Sequence, residues 1–165
     1  MDENKKKEIL ELLEANARQT PQEIAAMLDM ETASVEEAVQ EMEREGLIVG
    51  YRTLVNWNKI GLERVTALIE VKVTPQRDVG FDAVADRIAR FPEVRTMRLM
   101  SGMYDLAVEV EGRTMQDVAF FVATRLATIE GVVSTTTHFV LKSYKENGVL
   151  FERKEETAPR LVVSP

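Results

Sequence analysis

The chain has 165 residues, 45% apolar and 30% charged, and a formal net charge of −7. It holds no cysteine, which excludes disulfides, a thiol nucleophile and cysteine metal sites. Its N-terminus, Met1-Asp2-Glu3-Asn4-Lys5-Lys6-Lys7, has no apolar core behind the charges of the kind a signal peptide carries, and no apolar run reaches membrane-spanning length, so a cytoplasmic location with no membrane partner is expected. In chain order, a first helix is predicted from about Asn4 to Ala15, burying Ile9, Leu12 and Leu13, with Asn16 closing it. Thr20-Pro21-Gln22-Glu23 reads as a capping box with proline at the first helical position. The short helix it starts has Ile24, Ala25, Met27 and Leu28 as its apolar face. Asp29-Met30-Glu31 is a turn. A third helix starts at Thr32 or Ser34, with Glu37 three residues after Ser34, turns Val35, Ala38, Val39 and Met42 inward, and ends before Gly46.

Two short helices about a tight turn are the arrangement that places one helix in a major groove. The outer face of this one, however, reads Glu36, Glu37, Gln40, Glu41, Glu43 and Arg44. Residues 1–61 carry 7 Lys+Arg against 13 Asp+Glu, a balance of −6, so the excess acid sits in the segment shaped to read DNA. Phosphate neutralisation needs Lys and Arg, so weak non-specific affinity follows.

Gly46 to Trp57 has strand composition, suited to a wing or a pairing edge between subunits, and Asn58-Lys59-Ile60-Gly61 reads as a domain boundary. Trp57, the single tryptophan, reads as a packing residue. Strands are then expected over Val65–Thr74, Val94–Met100, Tyr104–Glu111 and Val132–Tyr144, and helices over Gly80–Arg90 and Thr114–Thr128. Alternation puts Val65, Ala67, Ile69, Val71 and Val73 on one face of the first strand. The first helix buries Phe81, Val84, Ala85 and Ile88; the second buries Val118, Phe121, Val122 and Leu126, with Thr114 as its cap. The order βαββαβ is a ferredoxin-like sandwich with both helices on one sheet face. The class is α+β, a helix-turn-helix domain (1–61) followed by the sandwich (62–151). The other sheet face needs a partner. Leu68, Met97 and Leu99 are read onto it, and dimerisation through it is the simplest way to cover it. A loosely held tail is expected over 152–165.

Several spaced runs carry a resemblance: Gly46-Leu47-Ile48-Val49-Gly50-Tyr51, Asn58-Lys59-Ile60-Gly61, Phe91-Pro92-Glu93-Val94, Gly102-Met103-Tyr104-Asp105-Leu106 and Thr135-Thr136-Thr137-His138-Phe139-Val140-Leu141-Lys142. On these, the chain resembles the Lrp/AsnC (feast/famine) regulators over about residues 4–150. The resemblance implies a DNA-binding transcription regulator with an amino-acid effector, assembled as a homodimer and further into a tetramer or octamer, with no cofactor and no catalytic role. Members usually carry basic residues on the reading helix, where this chain has Glu36, Glu37, Gln40 and Glu41. Glutamate can still accept from cytosine and glutamine pair with adenine, which makes Glu37 and Gln40 candidate base readers. Thr32 and Ser34 are candidates for phosphate or base contact, and Arg18, Arg44, Arg52 and Lys59 for positioning charge. Loss of DNA contact, leaving a ligand-sensing assembly protein, is the alternative. Sirohaem decarboxylases look similar to the family, but they depend on histidine and arginine around the cofactor, and this chain has no histidine before His138.

For the effector, Gly102, Met103, Tyr104 and Asp105 form the candidate loop. Glycine permits a sharp turn whose N–H groups can meet a carboxylate, Asp105 can accept from an ammonium group, and Tyr104 offers an aromatic wall. The residues alone favour a plain hairpin turn with a surface aspartate; the resemblance reverses that preference and implies the effector cleft at a subunit junction. It also makes Thr137, and next Thr135, candidate ligand groups, although strand propensity explains both threonines. His138 reads as structural or exposed, and with no second histidine or cysteine there is no transition-metal site.

Overall fold

The computed structural model describes residues 2–62, 64–75 and 80–151. The expected tail, 152–165, lies outside the described residues. Contacts divide the chain between Val55 and Asn56 into two compact units.

The first unit holds α1 (Glu3–Ala15), α2 (Pro21–Leu28) and α3 (Thr32–Arg44). Its core is small: Ile9, Leu13, Ile24, Ala25, Val35, Ala38 and Met42 are buried together, with Leu12 only partly so. The capping box forms as the sequence dictates. Glu23 N–H donates to Thr20 Oγ1 at 3.3 Å and Thr20 N–H to Glu23 Oε2 at 2.7 Å. The Thr20 backbone and hydroxyl bonds hold the Glu23 carboxyl below its usual range. Met27, expected inward, is 59% exposed, because an eight-residue helix presents only the Ile24–Ala25 side to α1 and α3. Asp29 closes α2 in the left-handed region at φ 52°, which aspartate tolerates. No second capping box forms at Ser34: α3 begins at Thr32 after an extended Glu31, and Ser34 N–H is already taken by the Glu31 carbonyl at 3.1 Å. α3 ends in a Schellman closure, Leu47 N–H to Met42 O (2.9 Å) and Gly46 N–H to Glu43 O (3.2 Å). The strand expected after it does not form. Residues 49–56 find no ladder partner among the described residues, and a β-prone sequence forms a strand only beside one that satisfies its backbone.

The second unit opens with a 3₁₀ turn, Trp57–Ile60, and the Arg64 guanidinium lies 3.9 Å above the Trp57 ring. It continues with β1 (Val65–Val73), α4 (Asp82–Ala89), β2 (Val94–Leu99), β3 (Leu106–Gly112), α5 (Met115–Phe121), β4 (Val132–Phe139), β5 (Lys145–Glu146) and β6 (Val149–Leu150). The main sheet is antiparallel in the order β2-β3-β1-β4. This is the βαββαβ sandwich. Ala67, Ile69, Val71, Val108 and Val110 meet Val84, Ile88, Val118, Phe121 and Leu126 in its core.

Three expectations are corrected. Met97 and Leu99 do not share the open face with Leu68. A register shift between Val94 and Thr96 inserts a residue into β2, so Met97 pairs with buried Val108 and Leu99 with buried Leu106, on the helix-covered side. The open face is therefore mainly polar, with Leu68 paired across to Glu109 and His138, and with Glu70 and Lys72 along β1. The last strand stops at Phe139, and Lys145–Leu150 forms a separate hairpin whose turn residues, Asn147 and Gly148, are both at positive φ, as a type I′ turn requires. The junction of β2 and β3 spans Met100–Asp105, so Tyr104 and Asp105 belong to a loop and not to a strand.

Candidate DNA-reading helix and ligand site

α3 exposes Ala33, Glu36, Glu37, Gln40 and Arg44 along one face, as helical spacing requires once Val35, Ala38 and Met42 point inward. Ser34, exposed, and Thr32, half-buried, lie on the flanks of that face. Arg44 Nε bonds the Gln40 carbonyl at 3.3 Å, leaving the Gln40 amide outward. Arg18 is exposed in the loop before α2, and Arg52 is exposed in the unpaired segment after α3. Lys59 is exposed in the second unit's 3₁₀ turn.

The acidity of α3 is partly answered from within the unit. Lys6 of α1 reaches Glu41 at 3.2 Å and Glu45 at 3.9 Å. The Glu41 hydrogen bond raises the Lys6 pKa, with Coulombic help from Glu41, Glu45 and Glu3. Tyr51 Oη donates to Glu43 at 2.9 Å, and desolvation and then Glu43 raise its pKa, keeping the phenol protonated. Glu36 and Glu37 have no ion pair among the described residues. Lys6 offsets one charge of the Glu41 and Glu45 pair, which the run Lys5-Lys6-Lys7 does not reveal by sequence. Glu43 keeps its charge, because a protonated phenol bonds a carboxylate without neutralising it.

In the second unit, Asp105 anchors the Met100–Asp105 loop. Its Oδ2 accepts from Val73 N–H (2.8 Å), its own N–H donates to Val71 O (3.0 Å), and its carbonyl accepts from Met100 N–H (2.8 Å). The loop tip stands open: Met103 is 92% exposed, and Gly102, at φ 154°, has nothing within 4 Å of where a Cβ would lie. Tyr104 is half-buried. On β4, Thr135 pairs opposite Val71 and Thr137 opposite Ile69, both half-buried on the helix-covered side, while Ser134 and Thr136 face the other way. Within one chain β1 runs between the loop and the threonines. Two strand spacings, roughly 10 Å, separate Asp105 from Thr135. His138 Nε2 lies 3.4 Å from Glu70 on the open face, a surface role. Among the described residues no group of histidines and carboxylates could hold a metal ion, and no helix is long and apolar enough to cross a membrane.

A three-helix unit that presents one helix outward, joined to a βαββαβ sandwich with an open loop, defines a DNA reader coupled to a ligand-binding domain. Residues 2–49 match the winged helix-turn-helix DNA-binding family, and residues 66–150 match the Lrp/AsnC ligand binding domain. The HTH-type transcriptional regulator YugG of Bacillus subtilis is 49% identical over 162 residues, covering 98% of this chain and 97% of that protein. PH0140 of Pyrococcus horikoshii, also an HTH-type transcriptional regulator, is 30% identical over 140 residues, 85% of each chain. The chain belongs to the Lrp/AsnC family of DNA-binding transcriptional regulators. Among solved structures, E. coli AsnC superposes with a TM-score of 0.67 at 23% identity over 88% of this chain and 96% of that one. The NMB0573/L-Met complex from Neisseria meningitidis gives 0.69 at 23% identity over 88% and 93%. At this identity the likeness concerns the fold.

Proposed function

We propose that this regulator reads a palindromic operator through the exposed face of α3 as a homodimer, assembles further into a tetramer or octamer, and responds to a small amino acid held at the Met100–Asp105 loop. Glu37 and Gln40 are the base readers, with Thr32 and Ser34 beside them and Arg18, Arg44 and Arg52 positioning the backbone. Gly102, Met103, Tyr104 and Asp105 take the effector from one side, and Thr135 and Thr137 take it from another subunit. The observation that carries this reading is the separation of the two groups by β1. A small amino acid does not bridge roughly 10 Å across a strand, so one molecule touches both groups only where two copies meet. Ligand binding is then coupled to assembly, since the ligand favours the arrangement that completes its site. That a neighbour of the same fold was solved with L-Met agrees with this ligand class.

The test is a thermal-shift panel of the common amino acids on the wild type and on Asp105→Asn, which keeps an oxygen for Val73 N–H but removes the charge. At 100 times its dissociation constant, an effector should stabilise the wild type by about 2.7 kcal/mol, and Asp105→Asn should lose most of that shift. Equal stabilisation of the two proteins would remove Asp105 from the ligand site.

A further inference from the structure

The two helices that cover the sheet differ in what they show to solvent. α4 exposes Asp86, Arg87 and Arg90, the charged outward face expected of a surface helix. α5 and the π-helical turn that continues it, Val122–Leu126, are built otherwise. Val118 to Thr124 contains no charged residue. With Val118, Phe121 and Val122 in the core, helical spacing turns Gln116, Ala119, Phe120, Ala123 and Thr124 outward. All five are exposed, Phe120 by 69%. The hydroxyls along this stretch are withdrawn as well. Thr124 Oγ1 donates to Phe120 O at 2.7 Å and Thr128 Oγ1 to Thr124 O at 3.0 Å, so both are spent on their own helix.

One large ring set among small residues is a surface that fits its own copy. In an antiparallel two-fold contact with its axis beside Phe121 and Val122, Phe120 of each copy faces Ala123 of the other, and Ala119 faces Thr124. Large then meets small on both sides of the axis. The same register brings Arg113, its side chain 93% exposed before α5, to the partner's Glu130, which is exposed after the helix. Arg113 also pairs with Asp117 at 3.4 Å, whereas Glu130 has no ion pair among the described residues. Within one chain Arg113 and Glu130 stand at opposite ends of the helix, roughly 18 Å or more apart along its axis, so they do not meet. The ends of the face are therefore opposite in charge, and a second copy complements it in charge as well as in shape. A single helix face of this length covers far less than the roughly 1,200 Å² of a stable interface. Such a contact is weak alone and counts where several form together, which suits the joining of dimers.

We infer that the outward face of α5 docks on the same face of a second copy, antiparallel and about a two-fold axis, and that this contact joins dimers into the larger assembly. The inference rests on the proposed assembly beyond a dimer and names its surface. The test is sedimentation velocity on the full-length protein over a concentration series. The wild type is expected to pass from dimer to tetramer or larger. Phe120→Glu and Ala123→Glu, both at exposed positions, should each stop at the dimer with an unchanged melting temperature. Arg113→Glu and Glu130→Arg should each weaken dimer–dimer association about tenfold, because each sets like charges together twice in an isologous contact. Combined in one chain, the two reversals should restore association to within about threefold of the wild type, a rescue that a role inside one chain does not give. Assembly that persists in Phe120→Glu, or reversals whose losses add instead of cancelling, overturns the inference and leaves the proposed assembly standing. A wild type that stays dimeric at every concentration overturns both.

Discussion

Replacing Glu36 and Glu37 together with lysine is expected to tighten DNA binding on the order of fiftyfold at 0.1 M salt. These two carboxylates lie on the outward face of α3 with no cationic partner among the described residues, whereas Glu41 and Glu45 share Lys6. Each new lysine–phosphate contact contributes a slope of about −0.9 in log affinity against log salt, worth roughly eightfold between 1 M and 0.1 M. Two contacts therefore multiply to the stated gain, and the slope should steepen by about 1.8. The measurement is fluorescence anisotropy on an operator fragment across a salt series, with a scrambled fragment alongside. The full gain should appear on the scrambled fragment and a smaller one on the operator, because phosphate contacts carry no sequence information and Glu37→Lys also removes a proposed base contact. Unchanged affinity and slope would mean that α3 does not face the DNA.

The second large effect concerns stability. Met42 is fully buried in a core of only seven buried residues, and Met42→Ala is expected to cost about 2–5 kcal/mol. A core this small rarely supplies more than about 3–5 kcal/mol in total. The first unit should therefore unfold at ordinary temperature while the sandwich, with its own larger core, keeps its melting transition. Circular dichroism melts with amide hydrogen exchange should show lost protection across α1–α3, unchanged protection in β1 and β3, and no DNA binding. A single transition shifted as a whole would show that the two units do not unfold separately.

Much of this architecture was legible in the sequence because local chemistry and period agree. Thr20-Pro21-Gln22-Glu23 specifies its cap without help, and alternation from Val65 to Val73 specifies the inward face of β1. Errors arose where the partner decides. Gly46–Trp57 has strand residues but no strand beside it among the described residues. The extra residue in β2 exchanged the faces of Met97 and Leu99, and nothing in Val94-Arg95-Thr96-Met97 announces a bulge. Ser34 with Glu37 has the capping spacing, yet the turn at Asp29 starts the helix earlier. The loop at Gly102–Asp105 was legible as a candidate from its residue types, but the bond from Val73 N–H to Asp105 depends on register and could not be read. Nor could the pairing of Lys6 with Glu41, 35 residues apart on two helices, which changes how acidic the reading helix is.

On the proposed function, an acidic reader works by being held in several copies. Linked readers raise each other's effective concentration, so avidity compensates for few phosphate contacts without new ones. The most direct test compares wild-type protein on DNA carrying one half-site with DNA carrying two half-sites about 10 base pairs apart, across a salt series. The second half-site is expected to raise affinity by at least about a hundredfold, with a salt slope shallower than about −4 per dimer. Equal affinity for the two fragments, or a slope approaching that of strongly basic readers at about −10, would contradict it.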